Sequence, residues 1–167
     1  PGVAAVSAHP LLTPSQCADA IAFAEAGAAA SGGWTTQRHY SVPTTDVPVH
    51  AVPPLLALFN AALAQCIAPF VSAAFPDVVP RPGALRIHDA FLVRYDSRNV
   101  RSGAQQQRFL PIHSDESQVS LTVALNDTDD YTGGGTYFQA TPCVARPRAG
   151  HAVVFRGSTR HGGEAIL

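Results

Sequence analysis

From about residue 84 the hydrophobic period of this chain changes, and that change limits the folds open to it. Upstream, apolar residues recur at helical spacing. Downstream they alternate, as on strands buried on one face. Helices followed by several strands argue against a repeating βαβ unit and predict an α+β, mainly β fold. With 167 residues, 46% of them hydrophobic, the chain can enclose one sizeable core, so a single domain over 1–167 is expected.

Thr13-Pro14-Ser15-Gln16 reads as a helix start, with Thr13 as N-cap, Pro14 at the first helical position and Gln16 closing a capping box. This Ala-rich helix is predicted to run to about Gly27, with Cys17, Ile21 and Ala24 facing inward. A second helix is predicted from Pro54. Its apolar stripe runs from Leu55 through Ala62 and Ile67 to Phe70, and Pro69 is expected to kink or end it. Between the helices, 31–53 reads as loop with short extended pieces, in which Trp34 and Tyr40 are expected to cap the edge of the core.

Strands are predicted at 90–95, 118–125, 136–138 and 152–155. Gly133-Gly134-Gly135 and Gly162-Gly163 mark tight turns or close backbone approach. The polar stretch 97–107, with three consecutive glutamines, is expected to be a mobile loop acting as a lid.

His113 and Asp115 stand at i and i+2, which on a strand puts an imidazole and a carboxylate on one face. His161, next to a glycine pair, is the natural third ligand from a distant strand. Two histidines and one carboxylate leave metal positions open, as in non-heme iron oxygenases and unlike a closed structural zinc site. The other five histidines lack a metal-spaced partner; His88-Asp89, at i and i+1, would point to opposite faces.

Other chemistries are not indicated. The net charge of −1 at pH 7, with every basic residue an arginine, gives no general attraction to nucleic acid. No uninterrupted apolar run approaches membrane-spanning length, so no membrane span is expected. The acidic turn Asn126-Asp127-Thr128-Asp129-Asp130 lacks the glycine and terminal glutamate of a calcium loop. There is no phosphate loop, dinucleotide fingerprint or nucleophile elbow. Cys17 and Cys66 read as small core residues and Cys143 as a loop residue. The chain has no Met and begins at Pro1, so it is expected to be a piece of a longer protein.

The ordered set Asp89-Ala90-Phe91-Leu92-Val93-Arg94-Tyr95, Leu110-Pro111-Ile112-His113-Ser114-Asp115, Val123-Ala124-Leu125-Asn126, Asp130-Tyr131-Thr132-Gly133-Gly134-Gly135, Arg146-Pro147-Arg148-Ala149-Gly150 and Arg160-His161-Gly162-Gly163 resembles the Fe(II)/2-oxoglutarate dioxygenase domain of the prolyl and lysyl hydroxylases. Together with Val42-Pro43-Thr44-Thr45-Asp46, it is closest to the procollagen lysyl hydroxylase branch, over about residues 31–167.

The resemblance implies a double-stranded β-helix (jelly roll) with the N-terminal helices packed on one sheet. It implies Fe(II) held by His113, Asp115 and His161, with Tyr95, Thr122 and Thr136 toward 2-oxoglutarate. It also implies O2 as co-substrate, ascorbate as reductant, and hydroxylation of a lysyl or prolyl side chain in a peptide or protein, with the secretory pathway as a compartment. The alternatives are a free amino-acid or small-molecule hydroxylase and a non-catalytic metal-binding jelly roll. The family's basic anchor for the far carboxylate of 2-oxoglutarate would fall near position 171, beyond Leu167, so a missing C-terminal strand is expected. Arg160, as the neighbour of His161, is expected to point away from the site.

Overall fold

The computed structural model of the chain describes residues 2–36, 38–39, 42–97, 107–141 and 143–167. The first helix, α1 (Pro14–Ala30), starts where its capping box predicts. Gln16 N–H donates to Thr13 Oγ1 at 3.2 Å, and Thr13 N–H donates to Gln16 Oε1 at 2.8 Å. It runs three residues beyond Gly27. Its buried row is Cys17, Ala20, Ala24 and Ala28, with Ile21 only half-buried. Small residues win this face because α1 lies close against Val52, which a Cβ on Gly27 would strike.

The second helical region, Pro53–Ala74, is not ended by Pro69. It passes from α2 (Pro53–Ala62) through a π-helical turn at Leu63–Ile67 into α3 (Ala68–Ala74). Proline has no N–H and its ring crowds the carbonyl four residues earlier. The wider π turn, in which Ala68 N–H reaches Leu63 O, accommodates Pro69 without breaking the helix. By length and composition alone this helix is apolar enough to cross a membrane, a property that core helices share, and its apolar run is interrupted by Asn60, Gln65 and Ser72. Alanines such as Ala57, Ala61, Ala64 and Ala73 on its exposed side supply much of that character. Leu55, Ala62, Ile67 and Val71 are buried in the core.

The strands are all antiparallel. One sheet has the order β1 (Ala4–Val6), β8 (Ala152–Arg156), β5 (Val119–Val123). A second has the order β4 (Leu110–His113), β9 (His161–Gly163), β6 (Thr136–Phe138), β7 (Val144–Ala145). A separate ribbon pairs β2 (Asp46–Pro48) with β3 (Phe91–Val93).

Alternation along β8 ties the layers together. Val154 packs with Cys17, Ala62, Ile67, Val71 and Phe75 of the helical layer, whereas Val153 and Phe155 face Phe138 of the second sheet. The Phe138 and Phe155 rings meet edge-on with centroids 5.2 Å apart. Each fully buried side chain of this size stabilises the fold by about 1.5–3 kcal/mol. The helices therefore cover one sheet, as expected, and the second sheet covers its other face.

Trp34 caps the core edge as expected. Its Nε1–H donates to Glu25 Oε2 at 3.0 Å, and the Arg94 guanidinium lies over its ring. Tyr40 and most of 97–107 lie outside the described residues. The base of that stretch is closed by Asp96 N–H donating to Gln107 O at 3.0 Å. The glycine turn before β6 has positive φ at all three positions, 78°, 65° and 102° for Gly133, Gly134 and Gly135, as a tight turn requires. The acidic turn at Thr128–Asp130 closes on itself through a capping box on Asp127.

Candidate metal centre

Pairing in the second sheet builds the site. His113 on β4 and His161 on β9 are Cα partners, so both imidazoles leave the same face of the sheet. A bulge between Leu110 and His113 re-aims β4 and puts Leu110 opposite Gly163. Along β9, His161 and Gly163 share a face, and so do their partners Phe138 and Thr136 on β6.

Asp115 does not lie on a strand beside His113, as the i, i+2 reading had it, because β4 ends at His113. Hydrogen bonds place it instead. Its N–H donates to Gly157 O at 2.8 Å, and Ser120 Oγ donates to its Oδ2. Ser117 Oγ, 2.9 Å from Ser120 Oγ, continues the chain of hydroxyls. Asp115 Oδ1 is then 3.4 Å from His113 Nε2, and Oδ2 is 3.7 Å from His161 Nε2. One potential ligand atom from each residue falls within 4.8 Å of the others.

Both imidazoles are oriented by their own backbone. His113 Nδ1 lies 2.8 Å from Pro111 O, and His161 Nδ1 lies 2.9 Å from Thr159 O. A carbonyl only accepts, so each Nδ1 carries a proton, and in the neutral ring each Nε2 keeps the lone pair that a metal ion would take. Such outer hydrogen bonds fix tautomer and ring direction at metal-binding histidines. Phe155 packs on the His161 ring with centroids 4.4 Å apart, and His161 is 7% exposed. The donor set fits a divalent ion of the iron type, with two imidazoles and a carboxylate and no further protein donor in the group among the described residues.

The charges follow from these contacts. In the protonated ring Nε2–H donates to Asp115, and this bond raises the His113 pKa against burial and the charge of Arg160. Burial opposes the Asp115 carboxylate, but His113 and Ser120 outweigh it and hold its pKa below the ordinary value. Burial lowers the His161 pKa.

Two of the three residues expected toward a co-substrate come to this face. A Cβ on Gly163 would stand 3.0 Å from Tyr95 Oη, so the Tyr95 hydroxyl lies over the β9 backbone next to His161. Thr136 is the direct partner of Gly163. Thr122 shares the face of β5 that carries Ser120, but it is exposed. Arg160 is exposed, and its guanidinium is engaged outside the ligand group. β9 begins only at His161, so strand alternation does not govern Arg160. Its Nε donates to Gln139 Oε1 at 2.6 Å, and its charge is felt at His113.

Ser117, Ser120 and the carbonyls of Pro111 and Thr159 were not legible as site groups in the sequence. The available signal was the alternation of β5, which puts Ser120 on the same face as Thr122.

No family model matches the chain. It is similar to the 2-oxoglutarate and iron-dependent oxygenase domain-containing protein ICU11 of Arabidopsis thaliana, at 29% identity over 113 residues. The match takes in 59% of this chain and 26% of that protein, so the chain spans about a quarter of the relative's length. The likeness and the His-Asp-His group together support the 2-oxoglutarate- and iron-dependent oxygenase superfamily, and they do not single out its lysyl hydroxylase branch.

Proposed function

We propose that this chain is an Fe(II)- and 2-oxoglutarate-dependent oxygenase that hydroxylates a lysyl or prolyl side chain in a polypeptide, using O2 and releasing succinate and CO2. The observation that carries the reading is the pinned pair of imidazoles, each Nε2 directed at one oxygen of Asp115. His113, Asp115 and His161 hold the metal. Iron bound there supplies the oxidation of an unactivated C–H bond, which no side chain can perform.

The protein's part is to bind, orient and exclude water. Tyr95 and Thr136, on the Gly163 side of the histidines, offer hydroxyls to 2-oxoglutarate, and Thr122 approaches from β5. The rings of Phe138 and Phe155 keep solvent from the sheet side of His161. We read the two facing sheets as part of a double-stranded β-helix, a reading supported by the Phe138–Phe155 contact between them. Ascorbate is the reductant this chemistry would use.

The test is anaerobic loading with Fe(II), followed by 2-oxoglutarate turnover with Lys- and Pro-containing peptides, read as succinate and as a gain of one oxygen in the peptide. Hydroxylation of free amino acids alone would replace the peptidyl reading with a small-molecule one. Metal binding without succinate under any condition would leave a metal-binding module.

A further inference from the structure

The two facing sheets have a distinct end at which β4 finishes in His113, β6 in Phe138 and β8 in Arg156, and where β9 begins with His161. Tyr95 and Thr136 lie toward the opposite end, over Gly163. A cleft of about 990 Å³ opens at the His161 end, walled by Ala4 and Ala5 of β1 and by Gln139, Arg156, Thr159 and Arg160. None of the three ligands lines it, but Thr159, whose carbonyl orients His161, does.

Two features give the cleft a chemical preference. The first is charge. Arg156 and Arg160 stand in its wall against one carboxylate, Asp77, which pairs with Arg156. Arg160 is exposed and uses its Nε on Gln139, while its two Nη groups have no protein partner among the described residues.

The second feature is a free strand edge. Among the described residues β1 pairs only with β8. Ser7 N–H donates to Ala152 O at 2.9 Å, so by alternation Ala5 also bonds toward β8, while Ala4 and Val6 turn their peptide groups outward. An edge of this kind accepts an added extended segment through main-chain hydrogen bonds.

We propose that this cleft docks an extended polypeptide segment carrying a carboxylate, with the main chain along β1 and the carboxylate on Arg160. This assigns the peptidyl substrate a chemical class, an acidic sequence flanking the oxidised residue, and it rests on the reading of the chain as a peptidyl oxygenase.

The experiment measures fluorescence anisotropy of a short labelled peptide with the full chain. In one version Glu flanks a central Pro or Lys; in the other Gln replaces Glu. The Glu peptide should bind more tightly, and Arg160→Ala should weaken it by about two- to tenfold while leaving the Gln peptide unchanged. Asp77→Asn, which releases Arg156, should tighten the Glu peptide, an effect a merely structural role for Asp77 would not give. Ala4→Pro removes an outward N–H, which edge strands tolerate, and should weaken both peptides alike. Unchanged Mn(II) affinity and melting temperature confirm that the variants are folded.

Equal binding of Glu and Gln peptides, or equal loss of both in Arg160→Ala, overturns the proposal. If both peptides are hydroxylated without preference, only the cleft assignment falls. If neither binds while iron and 2-oxoglutarate do, the peptidyl reading falls and takes the cleft with it.

Discussion

His113 and His161 face one another as Cα partners across β4 and β9, with ring centroids 4.3 Å apart and both Nδ1 atoms held by carbonyls two residues upstream. A β-ladder thus does for this pair what a rigid chelate does for a small ligand: it sets the separation before any ion arrives. Replacing His113, Asp115 or His161 with Ala should lower Fe(II) and Mn(II) affinity by more than the roughly ten- to hundredfold typical of losing a group that orients a ligand. Anaerobic calorimetric titration measures it, and an affinity unchanged in any one variant would remove that residue from the site.

Ser120 donates to Asp115 Oδ2 and is itself 2.9 Å from Ser117 Oγ, so it decides how the carboxylate is presented. Ser120→Ala should weaken metal binding by about ten- to hundredfold, with Ser120→Thr retaining most of it. The absorption of the Co(II)-loaded protein should change in the Ala variant and not in the Thr variant. Identical spectra for both would mean that Gly157 O alone places Asp115.

The start of α1 was legible because a capping box is a local device, written in Thr13 and Gln16 themselves. The strand at His161 was legible only through its role as third ligand, not from the residues of β9 themselves. His161-Gly162-Gly163 has little intrinsic preference for extended structure, and its strand character comes from β4 on one side and β6 on the other. Asp115 shows the same limit within the site. Spacing alone marks the residue, but strand alternation does not direct it, since a carbonyl and a hydroxyl from distant segments place it. Proline ordinarily kinks or ends an α-helix, and nothing local to Pro69 announces the π turn at Leu63–Ile67 that absorbs it.

Asp46 is fully buried, with Oδ1 2.7 Å from Arg38 Nε and Oδ2 accepting from the Thr44 hydroxyl. Removing the carboxylate leaves Arg38 its second partner, Asp89, at 2.9 Å, so part of the charge stays compensated. Asp46→Ala should still lower stability by about 2–4 kcal/mol, as losing one member of a buried pair does. Urea unfolding followed by circular dichroism gives the value, and a change below about 0.5 kcal/mol would show that the cluster is not structural.

Burial pushes the Tyr95 phenol from 10.0 up to about 12. A folded-state pKa above the unfolded one means that the native protein holds the proton more firmly. The associated stability is therefore fully present below about pH 10 and is lost as pH rises toward 12. Absorbance titration at the phenolate band should show a late component that is lost in Tyr95→Phe, while Tyr131, which burial also raises, still titrates. A normal titration for every tyrosine would place the Tyr95 ring in solvent, away from the β9 backbone.

Gly163 separates the metal from the proposed co-substrate side of the site. A Cβ there would meet Tyr95 Oη at 3.0 Å, Leu110 Cβ at 3.2 Å and Leu110 N at 3.3 Å. The last two belong to the paired strand β4 and cannot retreat far, so the Tyr95 hydroxyl is the group that moves. Overpacking of this kind costs about 1–3 kcal/mol, expressed where the structure yields most easily. Gly163→Ala should therefore reduce 2-oxoglutarate affinity by about tenfold while leaving Mn(II) affinity within about twofold, since neither histidine is touched. Tyr95→Phe combined with Gly163→Ala should recover part of the loss, because the clashing oxygen is gone. Equal losses of metal and 2-oxoglutarate in Gly163→Ala would show instead that the substitution disturbs β9 as a whole and that Tyr95 has no separate role.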